Sequence, residues 1–461
     1  MAEALAEEHD REEEDYRLDG EVVEAILDAV EAGDAAHLAA LMEPLHPADI
    51  ADLLEQIGAP ERAAILRLWG REIDGDILTE IDPTIREEVI EAMPREVLAE
   101  AVRELDSDDV VDLIEDLEEP QQEAILGVLD ESDRAAVEQS LTYPEYSAGR
   151  LMQREVVSAP EHWTVGETID FLRREEDLPD QFYHVILVDP GHHPIGYVTL
   201  GKLLASRREM ALSAITEDSF RTISAWQEEG DVAYAFNQYH LISAPVVDDD
   251  DRLVGVITID DAMAVLDEEH EEDILRLAGV GDESSITDSV LETVRQRLPW
   301  LAVNLCTALI AASVIKLFEG SISSIVALAV LMPIVASMGG NAGTQTLTVA
   351  VRALATKNLT ESNVIRVVRR EALVGLVNGA SFAVVLGVVA WLWFGTPLLG
   401  VVIAAAMVIN LFVAAVAGIV VPLTLEKLGA DPALASGTFV TTMTDVVGFF
   451  AFLGLATAVL L

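Results

Sequence analysis

From about residue 20 to residue 148, apolar side chains recur every three or four positions and Pro or Gly marks the breaks, which predicts a run of short amphipathic helices. His46 to Ile57 (HPADIADLLEQI) resembles Asp106 to Leu117 (DSDDVVDLIEDL), each with a polar entry able to cap a helix, so stacked helical hairpins in a small superhelix are expected. After Gly149 the period shortens. Tyr183 to Val188 and Ile195 to Leu200 are strand-forming runs separated by Asp189-Pro190-Gly191 and followed by a helical segment. The block recurs 59 residues later, with YHVILVDPGHHPIGYVTLGKLLA from Tyr183 aligning on ISAPVVDDDDRLVGVITIDDAMA from Ile242. Two similar α/β modules, packed together, follow from that duplication. A helix from about Asp260 to Gly279 comes next, rich in acids at Glu268, Glu269, Glu271, Glu272 and Asp273.

Beyond residue 298 the pattern becomes continuous apolar runs of spanning length, at about 299–317, 322–351, 372–394, 398–422 and 433–460, which predicts five membrane helices. The intervening segment from Arg352 to Arg370 holds Arg352, Lys357, Arg366, Arg369 and Arg370, whereas the linkers near 318–321 and 395–397 hold no basic residue. Cytoplasmic loops carry the excess of Lys and Arg, so the amino-terminal part is expected in the cytoplasm and Leu461 outside a multi-pass plasma-membrane protein.

Charge sharpens this division. Beyond residue 298 seven basic residues face six acidic ones, a balance of +1, so residues 1 to 298 carry −54 of a chain whose net charge is −53. Such an excess repels nucleic acid, and no basic stripe offsets it, so a DNA or RNA partner is excluded. The acids spread over the whole first half, as suits a surface hydrated in a high-salt cytoplasm, of the type found in halophiles. The first residues, with Glu7, Glu8, Asp10, Glu12, Glu13, Glu14 and Asp15, have no basic or apolar stretch and are expected to be an acidic tail rather than a signal peptide. The one cysteine, Cys306, excludes an intrachain disulfide.

Two spans are chemically unusual. In the second, Pro333, Ser337, Asn341, Thr344 and Thr348 are spaced to place a polar stripe along one helix face, with Gly339, Gly340 and Gly343 beside it. Close packing through small residues is the alternative use of such a segment. The fifth contains Asp445, roughly 18 Å along a helix counted from Ala433, with Thr438, Thr441, Thr442 and Gly448 expected on its face. A carboxylate in hydrocarbon costs at least ~2.5 kcal/mol and is tolerated beside a partner or a water-filled path. No Lys or Arg lies at matching depth, so a passing cation is the expected counter-charge; a protonated packing Asp is the alternative. Magnesium gives up water reluctantly and suits a carboxylate with nearby oxygens acting through its hydration shell. One carboxylate per chain is weak charge for a divalent ion, which motivates a dimer meeting at the fifth helix.

The duplicated modules resemble a tandem pair of CBS domains, the second carrying GxxTxxD as Gly255, Thr258 and Asp261. That resemblance implies Thr258 and Asp261 as nucleotide-contacting candidates. In the first copy Lys202 stands where the Asp belongs. The chain as a whole resembles the MgtE family of magnesium channels, most specifically in PIVASMGGNAGTQ (333–345), ALATKNL (353–359) and ADPALASGTFVTTMTDVVG (430–448). The resemblance implies a multi-domain chain with a superhelical α-helical N domain (21–148), CBS domains at 149–212 and 213–266, a plug helix region (267–298) and a five-helix transmembrane domain (299–461), after a tail at 1–20. It also implies a homodimer selective for hydrated Mg2+ at Asp445, with Asn341 and Asp431 among the metal candidates. Cytoplasmic Mg2+ is then expected to bridge Asp108, Asp112, Asp261, Glu269, Glu272 and Asp273 and hold the pore shut. Gly230, His240 and Gly437 replace polar or acidic residues of the family pattern.

Two other readings compete. A carrier of another divalent metal, such as cobalt or manganese, is disfavoured because no His, Met or Cys cluster lies along the polar faces. A membrane-anchored adenylate sensor would need neither the intramembrane carboxylate nor the stripe. No Ser/His/Asp, Cys/His or phosphate-cradling constellation appears, so an enzyme is not expected.

Overall fold

The structure is a computed structural model that describes residues 18–69, 73–115, 117, 119–175, 178–179, 181–217, 220–280, 284, 290–360 and 362–461. The acids from Glu7 to Asp15, and residues 281–283 and 285–289 of the plug region, lie outside them. Two compact units make up the chain, Met1–Asp267 and Glu268–Leu461.

The first unit begins with α1 (Gly20–Ala32), α2 (Ala35–Met42), α3 (Pro47–Gln56), α4 (Ala59–Trp69), α5 (Gly75–Glu80), α6 (Pro83–Ala92), α7 (Arg95–Glu104), α8 (Ser107–Glu115), α9 (Glu119–Leu126) and α10 (Glu131–Ser140). Each is too short to persist alone in water, so burial of one face holds it. Capping residues set the starts. Asp19 accepts from the Glu21 N–H at 3.0 Å, Asp82 accepts from Thr84 at 2.8 Å, and His46 with Asp49 forms a capping box on Pro47. The apolar faces, from Ile26 through Leu53, Ile77 and Val110 to Val137, close into one continuous core.

Two buried arginines staple successive turns of this superhelix. Arg62 donates to the Leu54 and Ile57 carbonyls at 2.8 and 3.1 Å and pairs with Glu88 at 2.8 Å. Arg86 donates to the Ile81 carbonyl at 3.2 Å and pairs with Asp112 at 2.9 Å. Both satisfy carbonyls that a helix end leaves unbonded, and each then reaches an acid 26 residues ahead. Asp112 is thereby drawn into a structural ion pair.

The CBS portion opens on α11 (Ala148–Leu151) and continues with β1 (Ser158–Pro160), α12 (Val165–Leu172), β2 (His184–Val188), β3 (Pro194–Thr199), α13 (Leu200–Ala205), β4 (Ile223–Ser224), α14 (Glu229–Tyr239), β5 (Ser243–Val247) and β6 (Leu253–Thr258). In both sheets the first strand pairs parallel with the second and the second antiparallel with the third. The registers His184↔Thr199 and Ser243↔Thr258, and bulges at Leu187/Val188 and Val246/Val247, differ by the 59-residue period of the sequence. His184 Nδ1 touches Ser243 Oγ, so equivalent positions of the two copies meet.

A single helix, α15 (Ile259–Ala278), runs from the end of β6 across the division between units. The second unit then contains α16 (Val290–Leu317), the short α17 (Glu319–Ser324), α18 (Ala327–Ala355), α19 (Val364–Phe394), α20 (Pro397–Lys427) and α21 (Pro432–Leu460). Among the described residues, five helices are long and apolar enough to cross a membrane: α16, α18, α19, α20 and α21. α20 is the centre of the bundle, with 56% of its most apolar window buried against 6% for α16. Helices α16 and α19 begin earlier than the apolar runs, at Val290 and Val364, because their first turns carry Arg295, Arg297, Arg366, Arg369 and Arg370. Hydropathy marks the lipid-facing length, and the helix continues past it.

Replacing Arg62 with Ala is expected to destabilise the amino-terminal unit by ~2–4 kcal/mol, since two carbonyls and Glu88 lose their partner together. Denaturant unfolding of the purified chain, followed by circular dichroism, measures it.

Candidate functional site

Helix α18 turns Leu331, Val335, Gly339, Gly343 and Leu347 into the protomer and leaves Ser337, Asn341, Thr344 and Thr348 exposed. The polar stripe thus lies on the outside of the single chain. Asp445 is thirteen residues into α21, ~20 Å along a helix of ~43 Å, and is half-buried. The two helices meet through small residues: a Cβ on Gly343 would lie 2.6 Å from Val440 Cγ1, and Gly339 and Gly448 abut the same side chain, Asn410. An earlier residue of α18 thus faces a later residue of α21, so the helices are antiparallel, and interpolation between these contacts sets Asn341 level with Asp445. Asp445 has neither a hydrogen bond nor an ion pair among the described residues.

The neighbours of Asp445 differ in part from the sequence reading. Thr441 is exposed and Thr442 half-exposed on its side of α21. Thr438 donates to Asn304 Oδ1 of α16 at 2.8 Å, so its hydroxyl proton is engaged. Gly448, one turn after Asp445, packs against Asn410.

At the start of α21, Asp431 caps the helix by accepting from the Ala433 N–H at 2.7 Å and pairs with Arg276 of α15 at 2.8 Å. Arg276 also pairs with Glu272 at 2.8 Å. Burial pushes the Asp273 carboxyl up, repulsion from Asp431 and Glu269 adds to it, and Arg276 and His270 oppose it. Leu277 packs with Leu347, Val351, Ala433 and Val440. Four acids singled out in the sequence, Glu269, Glu272, Asp273 and Asp431, therefore gather at one end of the bundle around a cation the sequence reading missed, Arg276. Its place four residues after Glu272 was the available signal.

A second acidic group lies within the first unit. Arg150 pairs with Glu115, Ser107 donates to Glu155 at 2.8 Å, and Arg154 donates to the Val254 carbonyl at 3.1 Å, which ties α8 to the second CBS sheet. Asp106, Asp108 and Asp109 are thereby brought against Asp261. Asp108 is pushed well above the usual carboxylate range by burial, then by repulsion from Asp261, Asp109 and Asp106. Asp109 is raised to about 7, by burial and then by Asp261 and Asp106. Asp261 rises to about 6 through burial, although hydrogen bonds from Thr258 oppose the shift and Asp260 and Asp106 add to it. Asp106 and Asp109 were not among the acids singled out, whereas Asp112, which was, is engaged by Arg86.

Thr258 donates its hydroxyl to Asp261 at 2.6 Å, so these two residues cap α15. The cavity beside them, bounded by Gln153, Tyr183, His184, Ser243 and Thr258, holds about 20 Å3, room for one water. Among the described residues no three His, Cys, Asp or Glu side chains converge as an inner metal shell.

The family described as MgtE, divalent cation transporter, matches residues 332–455; the MgtE intracellular N domain matches 45–146, and the CBS domain matches 148–209 and 230–268. The chain is 33% identical over 438 residues to the magnesium transporter MgtE of Thermus thermophilus, covering 94% of this chain and 97% of that one. It is 28% identical over 438 residues to the magnesium transporter MgtE of Bacillus subtilis, covering 95% and 97%. A solved structure of the cytosolic domain of the Mg2+ channel MgtE in complex with ATP is 28% identical, covering 53% of this chain and 99% of that one, with a TM-score of 0.49.

The raised carboxyls make the stability of the first unit depend on pH. Asp109 holds its proton to about pH 7 when folded, against ~3.9 in an unfolded chain, so between those values the folded state binds more protons. Stability from this group is full below ~pH 3.9 and is lost as pH rises through about 7. In a chelator, the midpoint of the first thermal transition is expected to rise by roughly 3 °C or more from pH 8 to pH 5.5, and Asp109→Asn is expected to flatten that slope.

Proposed function

The chain belongs to the MgtE family of divalent cation transporters, and from that premise we propose that it conducts Mg2+ through a path lined by Asp445 and Asn341, formed between two copies and closed by cytoplasmic Mg2+. The observation that carries the reading is the unpaired carboxylate of Asp445, level with an exposed polar stripe. In hydrocarbon such a group needs a partner or water. A hydrated cation supplies both.

The stripe supports a homodimer. Ser337, Asn341, Thr344 and Thr348 are exposed on the single protomer, and a second copy that covers them sets two stripes and two Asp445 carboxylates around one path. The pair matches a divalent ion in charge. The sparse hydroxyl and amide oxygens favour an ion that keeps its water, as Mg2+ does. The basic segment from Arg352 to Arg370 supports a cytoplasmic first unit and an external carboxyl terminus.

Closure follows from repulsion. Asp106, Asp108, Asp109 and Asp261 face one another in a partly dry setting, and a divalent ion among them lowers the energy of the compact arrangement relative to any in which they separate. The acids at the end of α15 offer a second place for the same effect, beside the entry of α21. Cytoplasmic Mg2+ thereby selects the closed state.

Asp445→Ala is expected to abolish Mg2+ uptake in a cell lacking its own magnesium transport while the protein remains inserted at normal level; undiminished uptake contradicts the assigned role. Removal of residues 1–267 is expected to give patch-clamp currents that millimolar cytoplasmic Mg2+ no longer suppresses. Retained suppression moves the sensor out of that unit.

A further inference from the structure

Asn410 sits in α20, the central helix, and is fully buried. Its Nδ2 donates to the Val335 carbonyl of α18 at 2.8 Å, whereas its Oδ1 is buried and has no hydrogen-bond partner among the described residues. Turning the amide over would set oxygen against the carbonyl, so the orientation follows from the bond. An unbonded acceptor in the middle of an apolar bundle is unfavourable, and a leucine there would fill the space without it. The close approach of two glycines to this amide points to a geometric role.

The amide lies flat between two helices. A Cβ on Gly339 of α18 would lie 2.3 Å from Asn410 Nδ2, and one on Gly448 of α21 would lie 2.8 Å from the same atom. A planar amide is thin in one direction, so it lets both backbones approach α20 where a branched side chain would push them apart. Gly339 is two residues from Asn341, and Gly448 is three from Asp445. The wedge is thus at the depth of the candidate ion path, on the side facing the protomer core.

We propose that Asn410 is a positioning residue of the ion path: its amide, clamped by Gly339 and Gly448 and bonded to Val335, sets the spacing of α18 and α21 and so the separation of Asn341 from Asp445 on which discrimination among divalent cations depends. The proposal rests on the transport reading above. A hydrated Mg2+ and a hydrated Ca2+ differ in size and rigidity, so a shift of these helices changes the flux ratio of the two ions before it changes folding.

The test is the ratio of Mg2+ to Ca2+ flux into proteoliposomes holding the full chain. Asn410→Ala is expected to lower that ratio by at least roughly fivefold in protein that stays monodisperse. Gly448→Ala is expected to lower it as well, and the double variant, in which the new methyl occupies the vacated amide space, is expected to recover part of the loss. An unaltered ratio in Asn410→Ala, whatever happens to total flux, overturns the proposal. If that variant does not fold, an unaltered ratio in Gly448→Ala overturns it equally. Absence of Mg2+ flux in the unsubstituted chain would instead overturn the transport reading itself.

Discussion

An ionised carboxylate at the mid-depth of a membrane helix, with no cationic side chain paired to it among the described residues, is tolerated where water reaches it, and the bundle around Asp445 suits that constraint. The apolar faces of α18, α20 and α21 close behind it, packed through Gly339, Gly343 and Gly448. The polar side chains of α18 are left on the outer surface of the protomer at the same level. In a lipid environment that surface is unfavourable alone and favourable when it borders an aqueous path. The proposed dimer, the proposed preference for a hydrated ion and the apolar backing would therefore follow from one placement rather than stand as separate features.

The same physics, in the first unit, supports the proposed sensor. Carboxylates of the first unit carry most of the chain's charge, and the majority are solvated. A few are not: Asp106, Asp108 and Asp109 are held against Asp261 by ties from Arg150, Ser107 and Arg154 to their surroundings. The repulsion is built in, and protons or divalent ions relieve it. At the entry of α21 the chain provides its own cation, since Arg276 already joins Glu272 to Asp431. A divalent ion arriving there has to act with, or displace, that guanidinium.

Much of this architecture was legible in the sequence because periodicity reports burial. The three-and-four spacing gave way to a 59-residue duplication whose register pairs repeat residue for residue, and the apolar runs corresponded to five long helices. Asp445 and the stripe were visible because a polar residue in an apolar run stands out. What stayed hidden were pairings between distant positions. Nothing local shows that Asp112 is taken by Arg86, that Asp109 meets Asp261, or that Gly448 turns toward Asn410. In a chain this acidic the composition also obscures which carboxylates are desolvated, and that distinction is made only by tertiary packing.

Solvent access at position 445 tests the central claim most directly. In membranes bearing the chain with Cys306→Ser and Asp445→Cys, the rate of modification by a cationic, membrane-impermeant thiol reagent is the quantity to measure. Rapid modification, slowed by added Mg2+, is the predicted result. Reaction with lipid-soluble reagents alone, and no effect of Mg2+, would place this position against lipid and contradict the account.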